Sequence, residues 1–340
     1  MTADRRLPSA LIRGPGTRGS RFRPLTLALV GAALAIGLGA CTTAPPDAPT
    51  PPAAPLRVVS LGDSYSTGTG SATPLPGDPG VCGRTVAASI RVAAAAVGAQ
   101  LVDVACDGST TADLLGPSER SGRTLPAQID ALSGGADVVL VRIGGNDLGF
   151  PALVGGCLAR DPDGPVAAGP TTCVGALAPD GGTDAVRARI DSEVSAHLAD
   201  AFGRMRAAAP DARIVALGYL SVLGDAAALP PEGCLRATAG STVNGRVLLT
   251  DRDAPWLAGI QRALDDAIAR EAAAAGIRFV DQETPTAAHG SCVGDAGDPY
   301  VAGVGGSAGD VPLHPNAAGL AWEAGAIADV LREEGAALGR

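Results

Sequence analysis

Short aliphatic, β-branched runs, each followed by a longer helical stretch, set the narrowest limit on how this chain can fold. The runs occupy residues 57–61 (RVVSL), 101–105 (LVDVA), 137–143 (DVVLVRI), 213–217 (RIVAL) and 277–280 (IRFV). Near-continuous hydrophobicity, rather than strict alternation, marks strands covered on both faces, as in a parallel sheet. Helical patterns follow at residues 84–97, 125–132, 184–209 and 255–275, with a last one over 315–334. This alternation predicts the α/β class: a three-layer α/β/α sandwich with a central parallel sheet and right-handed crossovers. Two stretches interrupt it, 148–182 and 219–254. Both are rich in Gly, Pro and Ala and contain cysteines, and they read as long loops. Aromatic residues make up only 3% of the chain, so aliphatic side chains and alanine must fill the core.

The domain so defined runs from residue 56 to 340, and what precedes it has another character. Arg5, Arg6, Arg13, Arg18, Arg21 and Arg23 lead into an apolar run from Leu25 to Ala40. A basic region, an apolar region and small residues before a cut form the pattern of a secretory signal, here residues 1–40. The run is shorter than a membrane span requires. It ends in Leu38-Gly39-Ala40-Cys41, which resembles the bacterial lipobox and implies lipidation of Cys41. Residues 42–55 (TTAPPDAPTPPAAP) form a stiff spacer, which would hold the domain off a membrane. Losing the six arginines and Asp4 takes the formal charge from −9 to about −14. So acidic a protein repels polyphosphates, and no nucleic-acid partner is expected.

With Cys41 assigned to the anchor, Cys82, Cys106, Cys157, Cys173, Cys234 and Cys292 remain. Six cysteines in an exported chain imply three disulfides, with fifteen connectivities open. No two stand at zinc-pair spacing and the three histidines are scattered, so no metal site and no cofactor is expected.

In an open parallel sheet ligands bind beyond the carboxyl ends of the strands. After the first strand stands Gly62-Asp63-Ser64, after the second Cys106-Asp107-Gly108-Ser109, and after the third Gly144-Gly145-Asn146-Asp147. Together these turns offer a hydroxyl, a backbone N–H at a residue with no side chain, and an amide. That set suits acyl transfer: Ser64 attacks a carbonyl, and the N–H groups of Ser64 and Gly108 with the Asn146 amide form an oxyanion hole. Of the histidines, His197 falls within an amphipathic helix and His289 within a Gly/Ala-rich loop. His314 precedes Pro315 and a helix, where the dipole disfavours its charged form and suits it as the base. A G-x-S-x-G stretch at 305–309 lacks the strand-to-helix setting of a nucleophile elbow and reads as a loop.

The blocks Gly62-Asp63-Ser64, Gly108, Gly144-Gly145-Asn146-Asp147 and His314-Pro315-Asn316 resemble, in order, those of the SGNH (GDSL) hydrolases. The resemblance covers residues 56–334. It implies a flavodoxin-like fold, an acyl-enzyme intermediate and no cofactor. Within the family the chain looks like the secreted actinobacterial esterases and lipases with three disulfides, and that resemblance implies the pairs Cys82–Cys106, Cys157–Cys173 and Cys234–Cys292. One position departs from the family. The aspartate usually found three residues before the histidine is replaced by Val311. Either Asp310 reaches His314 or the backbone carbonyl of Val311 orients it, and the carbonyl is preferred because a one-residue shift changes side-chain direction. The expected activity is hydrolysis of carboxylic esters, lipid esters included, by a monomeric lipoprotein exported to the outer face of the membrane or beyond. A deacetylase of acetylated polysaccharide or cell wall is the alternative, and a catalytically dead surface-binding lipoprotein another. Leu148, Phe150, Leu153 and Tyr219 are candidates to line an acyl pocket.

Overall fold

The structure, a computed structural model, describes residues 54–340 except 72, 79, 180–183, 226, 228, 231–232, 235–246, 294–297 and 305–309. The leader, Cys41, most of the spacer and the G-x-S-x-G stretch with Ser307 therefore lie outside the described residues.

The chain runs β1 (Arg57–Gly62), α1 (Ser64–Thr67), α2 (Ser89–Ala96), β2 (Gln100–Asp103), α3 (Thr111–Leu115), then a small hairpin, β3 (Ser118–Arg120) and β4 (Arg123–Leu125). A 3₁₀ turn (Gln128–Gly134) leads into β5 (Val138–Arg142), α4 (Gly145–Leu148), α5 (Phe150–Gly156) and α6 (Cys173–Leu177). α7 (Ala185–Arg189) continues through one wide turn into α8 (Ser195–Ala208), and β6 (Arg213–Leu217), α9 (Asp253–Ala274), β7 (Arg278–Val280) and α10 (Ala317–Ala337) follow.

The central strands are all parallel, in the order β2-β1-β5-β6-β7. Alternate residues of each strand point to opposite faces. Val58, Leu140, Val215 and Leu217 meet Ile90 and Ala94 of α2 and Ile327 and Leu331 of α10. Val59, Leu61, Val139, Val141 and Ile214 meet Leu198 and Phe202 of α8 and Leu264 and Ile268 of α9. The result is the three-layer sandwich. Counted among parallel strands alone, the order is 2-1-3-4-5, so the switch point falls between β1 and β5. The chain leaves β1 towards one edge and β5 towards the other, opening a crevice between their carboxyl ends.

Three expectations change. The helix expected over 125–132 is replaced by the end of β4 at Leu125 and a 3₁₀ turn over Gln128–Gly134. The stretch 148–182 is not plain loop, since α5 and α6 lie inside it, and Cys157 at the end of α5 is bonded to Cys173 at the start of α6. Helices of five and seven residues are too short to show a period in sequence. The helix expected over 84–97 begins only at Ser89. Before it the chain is extended: Arg84 reaches the Asp78 carboxylate at 2.7 Å, and Pro74 bridges Thr85.

Candidate active site

The first turn is fixed by its backbone. Gly62 has φ +138°, and a Cβ there would collide with the Arg142 carbonyl, so only glycine fits between β1 and β5 at this point. Asp63 caps α1, accepting the Tyr65 N–H at 3.1 Å. Ser64 is thereby the first residue of a short helix at the mouth of the crevice.

His314 stands 250 residues away in sequence, yet its Nε2 lies 2.8 Å from Ser64 Oγ. Its Nδ1 lies 2.9 Å from the carbonyl oxygen of Pro312. The orienting group is a backbone carbonyl, but it belongs neither to Val311 nor to the side chain of Asp310. The Val311 carbonyl instead accepts the His314 backbone N–H at 3.2 Å. The reason is local: Leu313 is left-handed, with φ +63°, and this turns the carbonyl of Pro312 back towards the ring. Burial pushes the imidazole pKa below its ordinary 6.5, against the opposing pull of the Pro312 carbonyl and Asp107. A neutral ring with its proton on Nδ1 presents a lone pair at Nε2 to the serine hydroxyl.

The second and third turns are tied to the first by side chains, of which the sequence reading passed over Gln128, Thr111 and Arg120. The Asn146 amide donates to the Ser109 carbonyl at 2.9 Å, leaving its second N–H for another acceptor. Gln128 accepts the Gly62 N–H at 2.7 Å and donates to the Gly62 carbonyl and the Ser109 hydroxyl, each at 3.0 Å. Asp147 accepts the Thr111 N–H at 3.1 Å and also the Thr111 hydroxyl. Gly108 has φ +69°, and Arg120 of β3 braces its turn through the Asp107 carbonyl at 2.6 Å. Tyr219, just beyond β6, donates to Asp63 Oδ2 at 2.6 Å and accepts the Gly145 N–H at 3.0 Å. Burial raises the Asp63 pKa from 3.8 to about 6, against the Tyr219 hydroxyl and the Arg142 charge. The one signal in the sequence for Gln128 and Tyr219 is a polar group set among apolar neighbours.

The disulfides join Cys82 to Cys106, Cys157 to Cys173 and Cys234 to Cys292. The first anchors the loop after α1 beside the Gly108 turn. His197 lies exposed on α8, 3.8 Å from Asp147, and His289 stacks on Tyr300 with ring centroids 4.0 Å apart. Among the described residues no cluster of His, Cys, Asp and Glu could hold a metal.

A cleft of about 450 Å³, counted with its open mouth, adjoins Ser64, Asn146 and His314. Phe150, Pro151, Val222, Leu264 and Leu313 give it apolar walls, with Tyr65 and Tyr219 beside them. Of the four candidate pocket residues, Phe150 and Tyr219 line it. Leu148 lies in the core and Leu153 packs against that core.

A model of the GDSL-like Lipase/Acylhydrolase family matches residues 60–322, a span that includes Ser64, Gly108, Asn146 and His314. This chain belongs to that family. It is a carboxylic ester hydrolase of the lipase and esterase type. "Lipase 2" of Streptomyces coelicolor is 33% identical over 319 residues, covering 92% of this chain and 97% of its own. Among solved structures, an extracellular lipase from Streptomyces rimosus superposes with a TM-score of 0.59 at 24% identity, over 82% of this chain and 98% of its own. A phospholipase A1 from Streptomyces albidoflavus gives 0.59 at 25%, over 83% of this chain and all of its own. Both share the SGNH hydrolase fold with this GDSL-family chain.

Proposed function

We propose that this hydrolase cleaves carboxylic esters with apolar acyl chains through a Ser64 acyl-enzyme, and that it works as an exported lipoprotein anchored at Cys41. Ser64 Oγ attacks the ester carbonyl while His314 Nε2 takes its proton. The N–H groups of Ser64 and Gly108 and the free N–H of the Asn146 amide meet the oxygen on which charge develops, each typically worth about 3 kcal/mol. His314 returns the proton to the departing alcohol, and a water activated by the same ring releases the acid. The carrying observation is the 2.8 Å contact between Ser64 Oγ and His314 Nε2, with Nδ1 occupied by a carbonyl.

The apolar cleft beside this pair favours acyl chains longer than acetyl and weighs against the polysaccharide deacetylase. It is consistent with lipid esters, the substrate class in the names of the lipase and phospholipase A1 relatives. Export is supported by the three disulfides, by the basic and apolar pattern of residues 1–40, and by the extracellular location of the Streptomyces rimosus lipase.

Ser64→Ala should abolish hydrolysis of aryl esters of every acyl length while the circular dichroism spectrum stays that of wild type. A serine-directed phosphonate should label wild type at Ser64, and label found at Ser307 would overturn the assignment. Cys41→Ala should move the activity from the membrane fraction to the medium. A wild type already wholly soluble would remove the anchor from the proposal.

A further inference from the structure

Residues 311–314 form a turn of the type II kind. The Val311 carbonyl accepts the N–H of His314 at 3.2 Å, Pro312 occupies the second position, and Leu313 occupies the third with φ +63°. That third position ordinarily takes glycine or asparagine, because a left-handed backbone crowds the Cβ of other residues. Leucine would favour the type I alternative, in which the peptide between the two central residues is turned over. Here that peptide carries the Pro312 carbonyl, the group that faces His314 Nδ1. Turning it over would carry the carbonyl off the ring and leave nothing in this turn to fix the tautomer.

We propose that Tyr65 is a positioning residue for His314: its hydroxyl, bonded to the Leu313 carbonyl, holds the turn in the form that aims the Pro312 carbonyl at the imidazole. The hydroxyl lies 2.6 Å from the Leu313 carbonyl oxygen. The rest of the turn is pinned from the other side, since Leu313 N–H donates to the Ala302 carbonyl at 2.8 Å and Ala302 N–H donates to the His314 carbonyl at 2.9 Å. The tyrosine itself cannot drift. It is 6% exposed, packs edge-on against Tyr219 with centroids 5.1 Å apart, and lies under the Arg142 guanidinium at 5.7 Å. Burial holds its phenol pKa well above 10, so the hydroxyl remains a donor wherever the enzyme works. Tyr65 immediately follows Ser64, so the element that presents the nucleophile also sets the base. A residue held in a sparsely populated backbone state persists only where its surroundings over-determine it, and those surroundings are present here.

This inference rests on His314 being the base, and His314→Ala is therefore run alongside as the control. The test combines steady-state kinetics with ¹⁵N NMR of protein labelled in its three histidines, which reports the protonated nitrogen of His314. Wild type should show the Nδ1–H form. Tyr65→Phe keeps the ring and removes the hydroxyl. It should lower kcat by about 30-fold, part of what a general base contributes, with KM changed by less than about threefold and the His314 signal shifted towards mixed tautomers. A second pair of variants does not depend on Tyr65→Phe folding. Asparagine tolerates the left-handed conformation and valine does not, so Leu313→Val should lose more kcat, and more of the Nδ1–H signal, than Leu313→Asn. If Leu313 mattered only for apolar packing, the order would be reversed. A wild-type kcat and an intact Nδ1–H signal in Tyr65→Phe, or that reversed order, overturns the proposal. If His314→Ala is inactive in the same series, the reading of His314 as base survives that failure. Activity remaining in His314→Ala would sink the base assignment itself.

Discussion

Arg142, the last residue of β5, is fully buried, and so is its partner Glu323 on α10, with Arg142 Nη2 and Glu323 Oε1 2.8 Å apart. The guanidinium also donates through Nε to the Gly218 carbonyl at 3.0 Å and through Nη2 to Gln282. Arg142→Met preserves much of the volume and removes the charge. It leaves Glu323 buried without a counter-ion, and breaking a buried pair in this way costs about 3–5 kcal/mol. At about 2–4 °C per kcal/mol for a domain approaching this size, the expected fall in Tm is on the order of 6–20 °C. The loss must also depend on pH. Burial already raises the Glu323 pKa above 4.5, and removing Arg142 raises it further. A carboxyl that holds its proton more tightly in the folded chain than in the unfolded one adds stability as pH falls through its folded pKa. Asp63, whose charge Arg142 also favours, acts in the same direction. The deficit should therefore be largest at pH 8 and shrink towards pH 5, in urea unfolding followed by circular dichroism. Arg142→Met combined with Glu323→Leu should recover most of it. A deficit below about 1 kcal/mol, or one of equal size at both pH values, would refute an orphaned Glu323 as the cause.

Burial lowers the pKa of His314, and in the proposed mechanism the neutral ring is the working form. The acid limb of kcat/KM should thus fall below pH 6.5, activity being lost as pH drops through the folded value, and an NMR titration giving His314 a pKa at or above 6.5 would contradict this. With the Pro312 carbonyl on Nδ1, Asp310→Asn should change turnover only a few-fold. A loss beyond about a thousand-fold, approaching that of a triad aspartate, would restore a triad with unusual spacing.

The sheet was readable because its strands are bare aliphatic runs, and the runs at 57–61 and 213–217 start where β1 and β6 start. The same logic placed Ser64, Gly108 and Asn146 after successive strands, since a parallel sheet forces those turns to one end. The orienting carbonyl was assigned one residue too early because it depends on the left-handed state of Leu313, and a leucine gives no sign of that in sequence. The partners of Arg142 were hidden for a different reason. A charge ending an apolar strand and a glutamate within α10 are each ordinary alone, and only the packing of α10 against the sheet pairs them. Tyr219 was a candidate only for an acyl pocket, and nothing in the sequence singled out Tyr65. Both rings are buried, and it is the direction of each hydroxyl that sequence does not carry.

Gln128 shows how a side chain can complete a sheet. Its primary amide has the same donor and acceptor as a peptide bond, and it meets Gly62 with both, as one more residue of a neighbouring strand would. The main chain after β2 still follows β1, with Val104 N–H on the Ser60 carbonyl and Cys106 N–H on the Gly62 carbonyl, each at 3.0 Å, and Gln128 supplies the acceptor for the Gly62 N–H. The same amide reaches the Ser109 hydroxyl, so the end of β1 is tied to the turn that carries Gly108. The replacement is chemically exacting. Glutamate at 128 would keep the acceptor and lose the donor, while leucine would strand the Gly62 N–H. One amide thus joins two of the three turns at the crevice, and its loss would loosen both at once.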